Sequence, residues 1–490
     1  MKLDNMILLM PEIALIIGAI LLLLFSCYST RPKWGMLSSF AFATVIVATY
    51  QLISCFGEVS HYFLNSNFLV YSPYTSYLKI TILLGFIGMI AMLPAAALHD
   101  KSIVPETLVL MMLSVTGMML LVSSNNIISL YMALELSSLP LYIMAASKRD
   151  DILSSEAGLK YFVLGALASC FFLFGASIVY GFSGSLDFTG INNYYLNTSP
   201  DLDAEDTIVP SAFIIGIVFM VAALAFKVSA APFHMWTPDV YQGSPMFITA
   251  FFAVVPKVAT LGLMARFLFS AFVDHAEQWS QMISALSVAS LLVGALGAIV
   301  QHNIKRLLAY SAIGHMGFAL IGLLSVDGDG LRGMLMYIAI YMVMSLGAFS
   351  CLMMLTKDGE YKEDIRKFAG LATSHPYLAA SIAVIMFSMA GIPPLAGFFA
   401  KFYVLYAAVK QEWYFLALTA VLASVIAAYY YLYIIKVMYF DEPKERADFD
   451  YPIAIRIVAG ICVALNIVYV AIPVPLIAAA EAAVASLFLN

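Results

Sequence analysis

The sequence predicts an all-α membrane protein that crosses the bilayer many times. Of its 490 residues, 63% are hydrophobic and only 11% are charged, and the mean hydropathy of +0.94 lies far above that of soluble globular proteins. The apolar runs are long and lack the alternation of a membrane-spanning strand, which excludes a β-barrel. Because a spanning helix needs about 20 apolar residues, we predict about fourteen transmembrane helices, centred near residues 16, 45, 86, 112, 136, 168, 221, 258, 290, 314, 344, 389, 425 and 466.

Two proline-containing breaks indicate an internal repeat. The seventh span is interrupted at Pro232 and the twelfth at Pro393 and Pro394, and a lysine lies near each break, Lys227 and Lys401. Breaks that are five helices apart fit two five-helix units that cross the membrane in opposite directions, as in many transporters with inverted repeats. One detail disagrees, since both lysines fall on the outer side of their break, whereas strict inversion would place one of them on the inner side.

We therefore predict a single membrane domain over residues 1–490. Helices 1–3 would occupy residues 1–100, and a final helix would lie within residues 450–490. The two inverted five-helix repeats, helices 4–8 and 9–13, would occupy residues 101–270 and 278–440, with helices 7 and 12 discontinuous.

The distribution of positive charge predicts the orientation, because cytoplasmic loops are enriched in lysine and arginine. With the N-terminus outside, thirteen basic residues lie inside: Arg31, Lys33, Lys101, Lys148, Arg149, Lys305, Arg306, Lys357, Lys362, Arg366, Lys367, Lys444 and Arg446. Three lie outside: Lys2, Arg332 and Lys410. The longest external loop, about residues 182–209, has five acidic residues and no basic one: Asp187, Asp201, Asp203, Glu205 and Asp206. Since the number of spans is even, both termini are predicted on the outer, periplasmic side.

The composition does not indicate a metal, a cofactor or a nucleic acid partner. The five cysteines are scattered through apolar segments without a CxxC pair, so neither a disulfide framework nor an iron–sulfur or metal site is predicted. The net charge of −6 is spread thinly, without the basic clusters and interleaved aromatic residues of nucleic-acid-binding proteins.

Four charged residues near the middle of predicted spans are the main functional signal. Lys227, Lys257 and Lys401 are accompanied by one acid at comparable depth, Glu135. A charge at the bilayer centre costs about 2.5 to 3.5 kcal/mol even on the lenient insertion scale. Buried ion pairs that hold helices together are the structural alternative, but three lysines and one glutamate cannot all pair.

Such groups can transfer protons. A nearby carboxylate favours the protonated form of a buried lysine, so moving the carboxylate changes whether the lysine holds a proton. Moving one charge against about 150 to 200 mV costs about 3.5 to 4.6 kcal/mol, which lies within the range that burial and pairing control. One lysine with a switchable partner could therefore supply one pumping step.

Two histidines extend this set. His234 lies seven residues after Lys227, about two helical turns along, and could continue a proton path toward the inside, while His315 lies mid-span in the tenth helix. Histidine relays protons near neutral pH, although a hydrogen-bonded packing role is the alternative for each. The break at Pro232 predicts either water beside Lys227, because freed backbone groups persist where they line a wet cavity, or an ordinary kink that neighbouring helices repair.

The remaining charged residues of the spans have simpler explanations. Lys79 and Lys436 lie nearer to helix ends and are predicted to extend to the interface, where Glu12 is also expected. Glu156 and Lys160 are four residues apart at the start of the sixth span, which predicts an i,i+4 ion pair.

The stretches around the mid-span residues follow the pattern of a known family. They are "MALELSSLPLY" around Glu135, "FKVSAAPFHMWTPDVYQGSP" around Lys227, "VVPKVA" around Lys257, "QHNIKRLLAYSAIGHMGF" around His315 and "AGIPPLAGFFAKFY" around Lys401. From the fifth to the twelfth span the chain thus resembles the antiporter-like membrane subunits of respiratory complex I, the proton-pumping NADH:quinone oxidoreductase. The lysine of the twelfth span and "YYYLYIIKVMYFDEP" are most similar to the N subunits of the bacterial enzymes.

This resemblance implies roles for the charged residues and for other chains. Glu135 and Lys227 would form the input pair, Lys257 the central relay and Lys401 the outward-leading site. NADH, FMN, iron–sulfur clusters and the quinone would bind to other subunits, and no cofactor is expected in this chain. The implied surroundings are the bacterial inner membrane and the other membrane subunits of complex I, including neighbouring antiporter-like subunits, with protons and internal water inside the chain.

Two other functions fit the same residues. A subunit of a multi-chain sodium/proton antiporter would share these motifs, and neighbouring genes would distinguish it. A passive membrane scaffold would hold its neighbours and conduct nothing. Replacing Lys227 or Glu135 by alanine separates the scaffold from a translocating subunit, since only the translocating subunit would lose pumping while assembly stays intact.

Overall fold

A computed structural model describes residues 8–28, 33–54, 68–198, 211–325, 328–357, 360–442 and 452–488. Residues of the sequence argument that lie outside this part are Lys2, Arg31, Cys55, Asp201, Asp203, Glu205, Asp206, Lys444 and Arg446. The described residues are mostly helical, which confirms the all-α class. The exceptions with regular structure are short: a ribbon of Thr356–Lys357 with Glu360–Tyr361, and 3-10 turns at Val273–His275, Gly322–Leu324 and Ile365–Phe368.

Nineteen α-helices are found in the described part of the chain. The first ten are α1 Met10–Tyr28, α2 Trp34–Ser54, α3 Pro73–His99, α4 Pro105–Ser123, α5 Ile127–Ala145, α6 Ile152–Ser183, α7 Phe188–Thr198, α8 Ser211–Val228, α9 Trp236–Gly243 and α10 Met246–Ala271. The others are α11 Ala276–Ile299, α12 Ile304–Ile321, α13 Asp329–Met353, α14 Leu371–Ser374, α15 Pro376–Ala390, α16 Ala396–Lys410, α17 Tyr414–Phe440, α18 Ile453–Val468 and α19 Val474–Phe488.

The predicted membrane spans correspond to these helices. Among the described residues, twelve helices are long and apolar enough to cross a membrane: α1 to α6, α8, α10 to α13 and α17. The helices α15, α18 and α19 are apolar but shorter. Each predicted centre falls within one of these fifteen helices, the twelfth centre in α15 and the fourteenth in α18. The count of fourteen crossings, the inverted repeat and the residue ranges of its two units stay predictions.

Both predicted helix interruptions are present. Residues 229–235 separate α8 from α9, and residues 391–395 separate α15 from α16. The first residue after each upstream helix, Ser229 and Gly391, has a left-handed backbone with φ of 67° and 86°, a conformation that ends helices. Prolines in both segments lack the N–H that a continuing helix would need. Each interruption therefore leaves the carbonyl end of a helix inside the protein.

Three helices form the centre of the bundle, and two of them carry sequence-predicted residues. Of the most apolar stretch of α10, 94% is buried, against 89% for α12 and α13. The stretches of α1 and α2 are 33% buried and those of α6 and α17 39%, and their exposed apolar side chains suit contact with lipid. Lys257 on α10 and His315 on α12 are thus enclosed by other helices.

Glycines bring the helices around the site into close contact. A Cβ on Gly117 of α4 would lie 2.5 Å from the backbone nitrogen of Ser137 on α5, and one on Gly294 of α11 would lie 2.5 Å from that of Gly314 on α12. Real Cβ atoms do not approach backbone this closely, so these two helix pairs depend on glycine. The contacts hold α5, which carries Glu135, and α12 at a set position.

A buried ion pair between α1 and α3 corrects one prediction. Lys79 Nζ lies 2.6 Å from Glu12 Oε1, and both side chains are 2% exposed. The prediction that they reach the interface is wrong. Helices packed against α3, among them α2, α4, α10 and α19, enclose its first turns. Lys436 is 57% exposed and lies 2.5 Å from Asp441 at the end of α17, and its place at the interface stays a prediction.

Candidate functional site

Glu135 lies on α5 and faces α6. Its carboxylate accepts a short hydrogen bond from the hydroxyl of Ser169, and the side chain is half-buried. Among the described residues no cation contacts this carboxylate. Ser169 is its hydrogen-bonding partner. The sequence reading did not identify Ser169, because nothing in the sequence distinguishes it from the other serines of apolar spans.

Lys227 lies in the last turn of α8 and binds hydroxyl groups rather than the predicted acid. Its Nζ donates to Ser138 Oγ and to Tyr142 Oη, at 2.8 Å each, and both acceptors lie on α5. Ser138 follows Glu135 by three residues, which is about 4.5 Å along a helix axis. Lys227 therefore contacts the helix that carries Glu135, but among the described residues the two do not form a contact ion pair.

A glycine creates the space for one of these acceptors. A Cβ on Gly165 of α6 would lie 2.2 Å from Tyr142 Oη and 2.6 Å from Cζ of the same ring. The tyrosine hydroxyl therefore occupies the place that a side chain at position 165 would take. Gly165 positions the Tyr142 hydroxyl against Lys227, a role that the sequence alone did not indicate.

Lys257 binds the end of the interrupted helix α8. Its Nζ donates to the backbone carbonyl of Val228 at 2.9 Å and, in a shorter contact, to Ser229 Oγ. The face of the Trp236 ring lies 5.2 Å away, within the range of a cation–π contact. Lys257 is 1% exposed, so a cation here is held by a carbonyl, a hydroxyl and a ring, and among the described residues no carboxylate contacts it.

Other backbone groups of this interruption also have protein partners. Trp236 Nε1 donates to the carbonyl of Phe226 at 3.0 Å, and the N–H of Ala231 donates to Ser290 Oγ at 2.8 Å. The segment is thus more than a proline kink, since seven residues leave the helix and side chains of α9, α10 and α11 bind the end of α8 and the residues that follow it. The expectation of water beside Lys227 stays a prediction.

His234 does not lie where the sequence reading placed it. We expected it two turns beyond Lys227 on one helix, but α8 ends at Val228, so helical spacing does not apply to the segment that follows. His234 is half-buried in the interruption, and its Nδ1 is buried without a hydrogen-bonding partner in the structure. The predicted position of His234 is therefore wrong, and among the described residues His234 does not contact Lys227.

His315 lies in a chain of hydroxyl groups. Its Nδ1 is 2.7 Å from Tyr337 Oη on α13, and its Nε2 is 3.1 Å from Tyr431 Oη on α17. Tyr431 Oη is in turn 2.5 Å from Ser311 Oγ. Both ring nitrogens are engaged by groups that can donate or accept, so the imidazole can carry its proton on either nitrogen without losing a partner.

Lys401 lies on α16 and binds the end of the other interrupted helix. Its Nζ donates to the carbonyl of Ala390, the last residue of α15, at 2.8 Å and to Ser424 Oγ on α17 at 2.9 Å. The ring of Phe318 lies 5.0 Å from Nζ. Lys401 and His315 line the same cavity of about 10 Å³, close to the smallest volume that holds one water.

The two interruptions therefore have the same arrangement, and it corrects the pairing that we inferred. We matched Lys227 with Lys401 because each lies next to a proline break in the sequence. The structure matches Lys257 with Lys401, since each ammonium binds the last carbonyl of an interrupted helix, at Val228 and Ala390. A helix C-terminus carries partial negative charge, which stabilises a cation.

A charged cluster lies where α6, α9 and α12 meet. The predicted pair of Lys160 with Glu156 is confirmed at 2.6 Å, and Lys160 Nζ also lies 2.6 Å from Asp239 Oδ2. Arg306 reaches Asp239 from α12 at 2.7 Å. Asp239 was missed, although it lies in the quoted stretch around Lys227, because its partners are 79 and 67 residues away.

The described residues contain no group of three or more His, Cys, Asp or Glu side chains that could hold a metal ion. Four cysteines of this part are free, with Cys27 and Cys170 exposed and Cys351 and Cys462 buried. The expectation that cofactors bind elsewhere stays a prediction.

Comparison with known proteins shows the family of this chain. A family model described as "NADH:quinone oxidoreductase/Mrp antiporter, TM" matches residues 124–427, a range that includes Glu135, Lys227, Lys257, His315 and Lys401. The chain is 45% identical to NADH-quinone oxidoreductase subunit N 1 of Rhizobium meliloti over 98% of this chain and 97% of the relative. It is 44% identical to subunit N of Parvibaculum lavamentivorans over 98% and 97%.

Solved structures share the fold. A chain of respiratory complex I from Thermus thermophilus with bound aureothin has a TM-score of 0.80 at 27% identity, covering 96% of this chain and 99% of that one. A chain of the Mrp complex from Dietzia sp. DQ12-45-1b has a TM-score of 0.85 at 18% identity, covering 100% and 98%, which shows the fold alone. The chain therefore belongs to the NADH:quinone oxidoreductase/Mrp antiporter family of membrane subunits, and within it to the NADH-quinone oxidoreductase N subunits.

Proposed function

We propose that this chain is a proton-translocating membrane subunit of NADH-quinone oxidoreductase. The observation that carries the proposal is the pair of buried lysines, Lys257 and Lys401, each bound to the carbonyl end of an interrupted helix and to a hydroxyl. Buried charges without a carboxylate partner are costly, and a purely structural role would be served by apolar side chains. NADH oxidation and quinone reduction, with FMN and iron–sulfur clusters, are assigned to partner subunits.

In this proposal, hydroxyl groups connect the ionisable residues. Ser138 and Tyr142 bind Lys227, and Lys257 binds the carbonyl of Val228, the residue that follows Lys227. Both lysines thus act at the same end of α8. A proton would pass from the Glu135 and Lys227 region to Lys257 through internal water, which supplies the connections that side chains do not make.

The second half of the path would run through His315 to Lys401. Tyr337 and Tyr431 contact the two imidazole nitrogens, and the cavity that His315 shares with Lys401 is close to the smallest volume that holds one water. Grotthuss-type transfer requires groups that donate and accept in turn, which hydroxyl, imidazole and water all do. We assign Lys401 as the outward-leading site.

The helix ends offer a physical basis for coupling. A cation is stabilised by about 0.3 to 2 kcal/mol at a helix C-terminus, and the effect is confined to the last turn. A displacement of α8 or α15 by a few ångströms would therefore remove the carbonyl from Lys257 or Lys401 and make the charged form more costly. Movement of partner subunits, driven by the redox reaction, could then change proton occupancy.

The test compares three variants of the assembled complex in proteoliposomes. We expect Lys257→Met to lower NADH-driven proton pumping at least tenfold while the complex still assembles. Lys257→Arg should fail as well, because arginine stays charged and does not release its proton. The control Lys436→Met removes an exposed lysine at a helix end and should pump normally.

The outcomes also separate the rival functions. Normal pumping in Lys257→Met would favour a scaffold that conducts nothing. Normal pumping in Lys257→Arg alone would mean that a fixed positive charge at the end of α8 is sufficient. Sodium-dependent proton exchange without NADH would favour an antiporter subunit, for which the Mrp likeness supports only the fold.

We propose the orientation from the positive charge, with both termini on the periplasmic side of a bacterial inner membrane. A periplasm-dependent reporter such as alkaline phosphatase, fused to the C-terminus, should be active. An inactive phosphatase together with an active cytoplasmic reporter at the same position would reverse the orientation.

A further inference from the structure

Another cavity, lined by both polar and apolar residues, lies away from the proton-transfer residues. It has a volume of about 410 Å³ and lies between the start of α15, the start of α18 and the end of α13. Ser374, His375 and Arg456 line one part. Leu378 and Gly460 are among the apolar residues that line another part. The volume is that of a small-molecule site, and none of these residues belongs to the path proposed above.

The position of the cavity along the helices separates its polar and apolar ends. Arg456 lies in the first turn of α18, and Gly460 lies four residues further, about 6 Å deeper along the helix. On α15, His375 precedes the first helical residue and Leu378 lies in the first turn. The cavity therefore begins with a cation and a hydroxyl at the helix starts and continues along apolar side chains toward the middle of the helices.

Its surroundings match the boundary between membrane and water. Tyr377, at the rim, is 89% exposed, and tyrosine is enriched at this boundary. The preceding segment contains Arg366 and Lys367, which the positive-inside rule assigns to the inner side. The inner leaflet of a bacterial or other energised membrane holds anionic lipids that attract such basic groups.

We propose that this cavity binds an anionic phospholipid of the inner leaflet. The phosphate would accept hydrogen bonds from the Arg456 guanidinium, the Ser374 hydroxyl and His375, since guanidinium and phosphate match in charge and geometry. One acyl chain would follow Leu378, Ala459 and Gly460 into the membrane. The bound lipid would join α18 to α15, the helix whose last carbonyl, at Ala390, binds Lys401.

Gly460 gives a direct test of the acyl-chain position. A Cβ at this residue would meet no atom within 4 Å, so open space lies where a side chain would begin. Gly460→Leu should therefore fill the cavity while the fold is kept. Gly181→Leu is the matched control, because a Cβ at Gly181 also meets nothing within 4 Å and that helix, α6, does not line the cavity.

The experiment measures lipid retained by the purified complex after exchange into dioleoyl phosphatidylglycerol or dioleoyl phosphatidylcholine, by native mass spectrometry. We expect Arg456→Gln to lower bound phosphatidylglycerol about fivefold, the effect of one basic residue near an anionic surface. Gly460→Leu should lower it at least as much, and Gly181→Leu should not change it.

Three outcomes would overturn the proposal. One is unchanged phosphatidylglycerol in both Arg456→Gln and Gly460→Leu. Another is equal retention of phosphatidylcholine, which would mean that the headgroup charge is not recognised. The third is displacement of the lipid by millimolar inorganic phosphate, which would identify the site as one for a free anion. The readout does not use pumping, so it stands even if the proposed proton path is wrong.

Discussion

Gly165→Ala is the perturbation that tests the input region most directly, because it changes no charged or hydroxyl group. The new Cβ would lie 2.2 Å from Tyr142 Oη, whereas ordinary contacts begin at 3.4 Å. The ring must therefore move by about 1.2 Å, the difference between these two distances. A displacement of that size takes the 2.8 Å contact of Tyr142 with Lys227 outside hydrogen-bonding range or into overlap.

The expected loss follows from the strength of one hydrogen bond to a charged group. Such a bond contributes about 1.5 to 3 kcal/mol, and each 1.4 kcal/mol is about a factor of ten. Loss of this bond should therefore lower NADH-driven proton pumping by about 10- to 140-fold. Dye quenching in proteoliposomes, recorded together with NADH oxidation, measures the effect.

Two further variants make the reasoning refutable. Tyr142→Phe removes the same hydroxyl without the steric change and should match Gly165→Ala in size. Gly181→Ala is the control on the same helix, where a Cβ meets nothing within 4 Å, and it should pump normally. Full pumping in both Gly165→Ala and Tyr142→Phe, with Lys227→Met inactive, would show that the tyrosine hydroxyl has no part in the path.

Two predictions concern the stability of the membrane bundle, measured as thermal unfolding of the purified complex. Lys79→Met should leave the Glu12 carboxylate buried without its cation and destabilise by about 3 to 5 kcal/mol. The double variant Glu12→Gln, Lys79→Met should recover most of that loss, and equal losses in the two would contradict a buried pair. Gly397→Ala would place a Cβ 1.9 Å from the carbonyl oxygen of Ser388, so α15 and α16 should separate and both stability and pumping should fall. Retained stability in that variant would show that the interruption tolerates rearrangement.

Local sequence features were sufficient for the fold class and for the main candidate residues. The length and apolarity of the runs are properties of consecutive residues, and a bilayer converts them directly into helices. The two interruptions were equally readable, since proline lacks an N–H wherever it stands. Lys227, Lys257 and Lys401 were conspicuous because a charge in an apolar run is costly.

The partners of those residues were not readable from the sequence. Lys257 and Lys401 bind the carbonyls of Val228 and Ala390, and every residue has a carbonyl, so no pattern marks the two that matter. The sequence reading therefore matched lysines by their distance from a proline along the chain.

Burial was likewise decided by the packing of distant helices. Glu12 and Lys79 lie near helix ends, where sequence alone suggests an interface, yet α1 and α3 bring them together inside the bundle. Asp239 meets Lys160 and Arg306 across 79 and 67 residues. By itself the sequence determined the all-α membrane class and where two of its helices break. Only the tertiary structure decided which carbonyl, hydroxyl or carboxylate each charge meets, because those contacts join groups that are far apart in the chain.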